Sequence, residues 1–239
     1  MHEVAEARGA AHDGRDRTDE EQAYYSLNRR VYAVFARFYD AVTLPIRPLR
    51  HTVASLVELA PDSRVLDVAT GTGEQAFAFA PKARAVVGID LSDAMLRVAR
   101  RKNGLPNVTF QRADATALPF EDASFDAACV SFALHEMPAT IRERVVREMA
   151  RVTKPGGTVV VVDYALPRNR VANWLAYHIV KQYERDHYET FVRSDIARLL
   201  ERASIDTSRR RPALFGLVQI TTGHRGGSAR DRATTALRG

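Results

Sequence analysis

The fold is decided by residues 65–74, which read Val65-Leu66-Asp67-Val68-Ala69-Thr70-Gly71-Thr72-Gly73-Glu74. The apolar start predicts a short buried strand, the two glycines predict a tight turn, and Glu74 begins a predicted helix. Glycines at such a turn let the backbone approach a ligand without a side chain in the way. The free amide groups of the helix N-terminus attract a carboxylate or another anion. The stretch therefore predicts a ligand site, although a plain strand-to-helix turn would also contain glycine.

Strands and helices alternate on both sides of this stretch. Strands are predicted over residues 64–68, 85–89, 108–112, 125–131, 158–163, 205–208 and 214–221. Helical patterns separate the first five, and the last two are expected to form an antiparallel pair. This order predicts an α/β fold: a Rossmann-like, doubly wound sheet of seven strands, mostly parallel, with a C-terminal antiparallel strand pair. Ligands of such sheets bind at the carboxyl ends of the strands, so the residues that follow each strand are the candidates.

The domain organisation follows from composition along the chain. Residues 1–22 lack apolar periodicity, and residues 223–239 are rich in glycine, arginine, serine and threonine, so both are expected to be disordered. A single domain is predicted over residues 23–222. Two cap helices within residues 23–60 precede its first strand, and an aromatic-rich helix over residues 168–192 is predicted to cover the substrate.

Composition excludes several classes of protein. The chain has 239 residues, one cysteine and a net charge of +6, and only four of its 35 basic residues are lysines. One cysteine allows no disulfide within the chain and no cysteine-built metal site, and we expect no metal. No run of about 18 apolar residues suits a membrane span, and we expect a cytoplasmic protein. The arginines are scattered among acids, so a nucleic-acid partner is not expected despite the charge.

Acidic residues follow the next two predicted strands. Asp90 comes 17 residues after Gly73, and Asp114 ends the strand after that. A carboxylate in the first position matches the two vicinal hydroxyls of a ribose, and one in the second can accept a hydrogen bond from an adenine amino group. Glycine, acid and acid at successive strand ends therefore predict a slot for a nucleoside.

Two cofactors compete for this slot. The spacing of Gly71, Gly73 and Ala76 also fits the fingerprint of dinucleotide-binding proteins, which would make the chain an NAD(P)-dependent oxidoreductase. Asp67 argues against that, because its carboxylate would repel a pyrophosphate but can meet an ammonium group. The two preceding helices and the C-terminal strand pair also favour S-adenosyl-L-methionine.

The ordered motifs resemble those of class I S-adenosylmethionine-dependent methyltransferases. They are Val65 to Gly73, Gly88-Ile89-Asp90-Leu91-Ser92-Asp93-Ala94-Met95-Leu96, Ala113-Asp114-Ala115 with Leu118-Pro119-Phe120, Ser124-Phe125-Asp126, and Arg151-Val152-Thr153-Lys154-Pro155-Gly156-Gly157. The chain is most similar to the branch of ubiquinone/menaquinone C-methyltransferases and related small-molecule enzymes, over residues 32–222. The longer signature of the quinone enzymes is absent, and the fold hosts many acceptors.

The resemblance implies methyl transfer and a set of cofactor-binding residues. These are Asp67, Ala69, Gly71, Gly73, Asp90, Leu91, Met95, Asp114, Ala115, Ser131 and Tyr39. Met95 would pack on the adenine, Ser131 would lie under the sulfonium, and Tyr39 would cover the cofactor from the N-terminal helix.

Two residues are candidates for the acceptor side. His135 follows the fourth strand, and an imidazole near neutrality suits removal of a proton from a phenol or an enol. Tyr164 follows the fifth strand and would orient the acceptor. A purely structural role fits either residue as well.

The expected partner is a small, apolar or aromatic acceptor molecule. The predicted helix over residues 168–192 mixes aromatic, aliphatic and basic residues, which would suit a substrate cover, a core stripe or contact with a membrane surface. Besides the oxidoreductase, an RNA methyltransferase and a non-catalytic S-adenosylmethionine-binding protein stay open as alternatives.

Overall fold

The computed structural model describes residues 18–166, 187–192 and 194–226. The helices are α1 (Asp19–Phe35), α2 (Tyr39–Thr43), α3 (Arg47–Leu56), α4 (Glu74–Phe79), α5 (Asp93–Lys102), α6 (Ala139–Val152), α7 (Tyr188–Val192) and α8 (Ile196–Arg202). The strands are β1 (Arg64–Val68), β2 (Ala85–Asp90), β3 (Val108–Arg112), β4 (Phe125–Ser131), β5 (Thr153–Tyr164), β6 (Ile205–Ala213) and β7 (Val218–Arg225). Within these residues, no helix is both long and apolar enough to cross a lipid bilayer.

The strands form one seven-stranded sheet in the order β3-β2-β1-β4-β5-β7-β6. Strands β1 to β5 run parallel, whereas β7 pairs antiparallel with both β5 and β6. The predicted fold class is therefore confirmed. The strand order reverses between β1 and β4, so a crevice opens beside them at the edge where the parallel strands end. We call this the carboxyl edge.

Helices cover both faces of the sheet, and successive side chains of each central strand point to opposite faces. Val65, Cys129 and Val160 pack with α3, α4 and α5 on one face. Leu66 and Val130 pack with α6 and α8 on the other. Side chains along a strand point alternately to the two faces of the sheet, so a strand that is buried on both faces is continuously apolar. Such apolar runs allowed these strands to be predicted from the sequence.

The N-terminal region differs from its predicted form. The predicted disordered leader ended at residue 22, whereas α1 begins at Asp19. The Thr18 hydroxyl accepts a hydrogen bond from the Glu21 amide and so caps the helix. Glu21 is buried, and its carboxylate pairs with Arg144 at 2.7 Å. A polar segment is thus held by a cap and an ion pair, neither of which shows as apolar periodicity.

The C-terminal region also departs from the predicted boundaries. The predicted tail began at residue 223, but β7 continues to Arg225 and its His224 lies opposite Thr158. β5 begins at Thr153, before its predicted start at residue 158, and a register shift against β4 lies next to this added part. Of the predicted cover helix, only residues 187–192 lie within the described residues, where α7 forms.

Candidate functional site

A cleft that opens to solvent lies at the carboxyl edge. The ends of β1, β2, β3 and β4 form its floor, and tyrosines of the two N-terminal helices form its roof. Nine of the predicted cofactor residues line it: Tyr39, Ala69, Gly71, Asp90, Leu91, Met95, Asp114, Ala115 and Ser131. Residues from four strand ends and the cap therefore meet around one cavity.

The backbone of the cleft is held in unusual conformations. Ala69 and Phe132, which follow β1 and β4, have φ values of 53° each, and Gly71 has 55°. A non-glycine residue in this left-handed region costs roughly 1–2 kcal/mol and persists only where its surroundings enforce it. The strain at Ala69 and Phe132 coincides with the wall of the cleft, as expected for a functional site.

Asp90 joins the two loops at the floor of the cleft. One carboxylate oxygen accepts a hydrogen bond from the Gly71 amide and the other from the Ser92 amide, both at 2.8 Å. Burial raises the pKa of Asp90, and the backbone donors oppose that rise. A carboxylate offers about four acceptor positions, so Asp90 can still accept donors from a ligand in the cleft.

Two predicted cofactor residues, Asp67 and Gly73, are not part of the described wall. Asp67 is 1% exposed, accepts a 2.5 Å hydrogen bond from the Thr70 hydroxyl, and has its pKa raised to about 7 by burial. Gly73 has a φ of 87°, and a Cβ there would stand 2.6 Å from Cζ of Phe110. In this structure both support the turn from behind, so direct contact with a cofactor stays a prediction for them.

A tyrosine of α1 binds the second predicted acid. The Tyr25 hydroxyl donates to the two oxygens of Asp114 at 2.9 and 3.2 Å. Thr116 donates to the same carboxylate from its amide and its hydroxyl. Sequence reasoning noted the aromatic α1 but gave Tyr25 no role, although tyrosines at positions 24, 25 and 32 share a helical face.

A buried cation stands behind the roof of the cleft. Arg50 of α3 is 6% exposed, and its guanidinium lies close to the Tyr39 side chain. Burial raises the pKa of Tyr39, and the Arg50 guanidinium opposes that rise. Sequence reasoning missed this residue, because one arginine in an amphipathic helix reads as a surface charge.

His135 is held by a buried carboxylate. Its Nδ1 lies 2.6 Å from Oδ1 of Asp163, and both side chains are 3% exposed. The amides of His135 and Tyr164 also donate to Asp163. When Nδ1 carries the proton donated to Asp163, the lone pair of the neutral ring is on Nε2. Asp163 therefore orients His135 in the way that carboxylates orient catalytic imidazoles.

The His135 pair connects to the cleft through Glu136. His135 Nε2 lies 3.9 Å from Oε1 of Glu136, and the Tyr32 hydroxyl donates to that same oxygen. Glu136 and Tyr32 both line the cleft, whereas His135 and Tyr164 stand behind the described wall. The Tyr164 ring packs against Phe132 and His135 at centroid distances of 5.8 and 4.6 Å. The catalytic roles of His135 and Tyr164 stay predictions.

Comparison with known proteins identifies the central part of the chain. Residues 65–157 match the family model described as a methyltransferase domain. The demethylmenaquinone methyltransferase of Renibacterium salmoninarum is 43% identical over 153 residues, which cover 59% of this chain and 63% of that protein. The chain spans about half to two thirds of the length of such relatives, with 51% for the one from Streptomyces avermitilis.

Solved structures share the fold at lower identity. The YcgJ protein of Bacillus subtilis superposes with a TM-score of 0.61 and 21% identity, covering 75% of this chain and 98% of that one. The [4+2]-cyclase SpnF superposes with a TM-score of 0.59 and 24% identity, covering 75% and 80%. The chain thus shares its fold with these proteins, one of which is named for a reaction other than methyl transfer.

Proposed function

We propose that this chain, whose residues 65–157 form a methyltransferase domain, transfers the methyl group of S-adenosyl-L-methionine to a small acceptor molecule. One observation carries the proposal. Asp90 and Asp114, at the ends of adjacent strands, line the same cleft as Gly71. Hydrogen-bond acceptors for a ribose and an adenine are thus side by side beside a turn that admits close approach of a ligand.

The residues of the cleft fit the parts of this cofactor. Met95, Leu91 and Ala115 supply apolar surface for a flat base next to Asp114. A Cβ on Gly71 would stand 3.8 Å from the Tyr39 ring, an ordinary contact, so the φ of 55° and not lack of space favours glycine at this turn. The Arg50 charge behind Tyr39 suits the carboxylate of the methionine part, since opposite charges attract strongly where water is excluded.

When bound, S-adenosylmethionine would supply an electrophilic methyl group on a positively charged sulfur. The rings of Tyr24, Tyr32 and Tyr39 line the cleft, and burial raises the pKa of each, so all three are neutral phenols. Aromatic faces attract a cation within about 6 Å of the ring centre. These tyrosines would therefore stabilise the positive charge and exclude water from it.

The residues proposed to act on the methyl acceptor favour an acceptor that loses a proton during the reaction. His135, oriented by Asp163, would take the proton at Nε2, and Glu136 with Tyr32 would link that nitrogen to the cleft. A phenol, an enol or a hydroquinone needs such a base, whereas a neutral amine can attack without one. The relatives named demethylmenaquinone methyltransferase agree with a small aromatic acceptor, and a small acceptor rather than a nucleic acid is part of the proposal. We place the reaction in the cytoplasm, where the proposed cofactor is made.

The first test is calorimetric titration with S-adenosylhomocysteine, with NADH in parallel. We expect micromolar binding of the first and none of the second. Asp90→Asn should weaken that binding about 10- to 100-fold, because hydrogen bonds to a charged acceptor are worth about 1.5–3 kcal/mol. The exposed Asp62, just before β1 and far from the cleft, gives the control Asp62→Asn, which should bind as the wild type does.

An assay with S-adenosylmethionine that carries a labelled methyl group then tests whether the chain transfers that group or only binds the cofactor. Label should appear in an acceptor from a panel of phenols and hydroquinones. The similarity to SpnF keeps a second candidate open, in which the cleft binds the cofactor and methyl transfer is absent. Cofactor binding without any labelled product, in the panel or in cell extract, would favour that candidate.

A further inference from the structure

The exposed apolar surface of this protein is concentrated at the carboxyl edge. Eleven large apolar side chains are exposed among the described residues, and all but Leu105 stand at this edge. We call these ten the apolar rim: Leu27, Val31, Val34, Phe35, Phe38, Val42, Leu44, Leu214, Phe215 and Leu217. Leu105 precedes β3 and so lies at the opposite edge. Exposed apolar side chains gathered in this way beside a ligand cleft mark an interaction site.

The first part of the rim is a face of α1 and the segment that follows. Leu27, Val31 and Val34 are 55%, 45% and 73% exposed and follow each other at helical spacing. Another face of the same helix carries Tyr25 and Tyr32, which line the cleft. α1 therefore has one side for the cleft and one apolar side that faces solvent.

The second part of the rim is the tip between β6 and β7. Because Tyr164 at the end of β5 lies opposite Val218, this tip stands at the carboxyl edge. Phe215 is fully exposed, and Leu214 and Phe215 have φ values of 46° and 58°. A glycine or an asparagine suits such a conformation better than leucine or phenylalanine, so the conformation of the turn does not explain these two apolar residues.

Arginines flank the rim. Arg30 and Arg37 are exposed beside its first part, and Arg209 and Arg211 are exposed on the strand that leads to the tip. Within the described part of the chain, none of these four forms an ion pair. Two acids at these segments are already paired with other cations: Asp40 with Lys102 and Asp195 with Arg210, each at 2.7 Å. The rim therefore carries a positive border.

We propose that the carboxyl edge docks on an anionic phospholipid surface, with the apolar rim entering the interfacial layer and the flanking arginines meeting the lipid headgroups. Apolar side chains bordered by arginines are the combination that holds a protein in a membrane interface. Each arginine near an anionic leaflet adds attraction that weakens with salt. The opening of the cleft would then face the lipid, so an apolar acceptor could enter without crossing water.

This surface differs from the one that the sequence suggested. The sequence assigned membrane contact to the helix over residues 168–192, which lies mostly outside the described residues. Docking itself is independent of methyl transfer, and only the entry of the acceptor from the lipid rests on the proposed function. The two ideas can therefore fail separately.

The test is flotation of the full chain with vesicles, without cofactor. Vesicles of phosphatidylglycerol and phosphatidylcholine should carry the wild-type chain at low salt, and vesicles of phosphatidylcholine alone should carry much less. Phe215→Asn and Val34→Gln should each reduce the bound fraction about tenfold. Arg209→Gln with Arg211→Gln should reduce binding to the anionic vesicles only. Leu105→Ser removes an exposed apolar side chain from the opposite edge and should bind as the wild type does.

Two controls and two outcomes make the test decisive. All variants should keep the wild-type circular dichroism spectrum and affinity for S-adenosylhomocysteine, because none of the changed residues lines the cleft. Equal flotation of wild type and Phe215→Asn would overturn the proposal. So would a concentration-dependent dimer, measured by light scattering, that Phe215→Asn and Val34→Gln abolish while vesicle binding is absent, since the rim would then serve a second copy of the chain.

Discussion

At the scale of single residues, the geometry of His135 and Asp163 leads to a test of the base. His135→Gln should lower labelled methyl transfer to a phenolic acceptor about 100- to 10,000-fold, the usual contribution of a general base. The wild-type rate should rise with pH as the ring loses its proton, and the variant should lose that rise.

Asp163→Asn distinguishes orientation from mere packing. An asparagine at position 163 can no longer accept the Nδ1 proton as a carboxylate does, so the rate should fall while the affinity for S-adenosylhomocysteine stays unchanged. The control for His135→Gln is His224→Asn, which changes an exposed histidine on β7 and should keep the wild-type rate. A wild-type pH profile in His135→Gln would show that the imidazole is structural.

Site residues could be predicted from the sequence where they stand at the end of a strand. Site residues that reach the cleft through tertiary packing could not be predicted. Asp90 and Asp114 were found because they end strands, and the structure places both on the cleft. Arg50 and Tyr25 were missed, because their contacts with Tyr39 and Asp114 join segments far apart in the chain. No local pattern encodes such contacts, so only the folded structure reveals them.

At the scale of elements, the attachment of α1 to α6 controls the roof of the cleft. Glu21 is buried and pairs with Arg144 at 2.7 Å, and the Thr140 hydroxyl donates to the same carboxylate oxygen. The Arg144 side chain is 31% exposed, so removing the Glu21 charge should cost less than the roughly 3–5 kcal/mol of a fully buried pair, because water can partly solvate the guanidinium.

Glu21→Gln should therefore loosen α1 without unfolding the sheet. Hydrogen exchange followed by mass spectrometry should show faster exchange over residues 19–35 and unchanged exchange in β1 and β4. Asp19→Asn alters an exposed carboxylate in the first turn of the same helix and should leave the exchange of α1 unchanged. Uniformly faster exchange would mean that the ion pair supports the whole fold instead.

The boundaries of elements were predictable where local signals were strong. β1, β3 and β4 have the predicted limits, since apolar residues at strand spacing mark them. Two cap helices were predicted within residues 23–60, whereas the structure has three, because the chain turns between Phe35 and Tyr39 to bring Tyr39 over the cleft. That break serves a tertiary contact, which periodicity does not report.

At the scale of the whole molecule, the buried acids make stability depend on pH. Burial raises the pKa of Asp67 from its usual value near 3.8 to about 7. Between these two pKa values, the folded state keeps a proton on Asp67 that the unfolded state has lost. The stability that this proton contributes is therefore complete below the pKa of the unfolded state, and it is lost as the pH rises through the pKa of the folded state.

The free energy of unfolding should consequently fall between pH 4 and pH 8 by as much as about 4 kcal/mol on account of Asp67. Denaturant titrations of the wild type and of Asp67→Asn across that range check this, and the variant should show a shallower slope. Asp62→Asn, an exposed acid, should keep the wild-type slope. Parallel curves for wild type and Asp67→Asn would mean that Asp67 stays charged in the folded protein.

The outer strand β6 has a consequence for how the molecule behaves among its own copies. A strand with one unpaired side is a template on which another sheet can grow. Along β6, Arg209, Arg210 and Arg211 are all exposed, Pro212 has no amide hydrogen to donate, and a register shift against β7 falls between Thr207 and Arg209. Charge, proline and irregular pairing together discourage aggregation through this edge. The arginine run 209–211 therefore also opposes edge-to-edge association of sheets from different copies of the chain at high concentration.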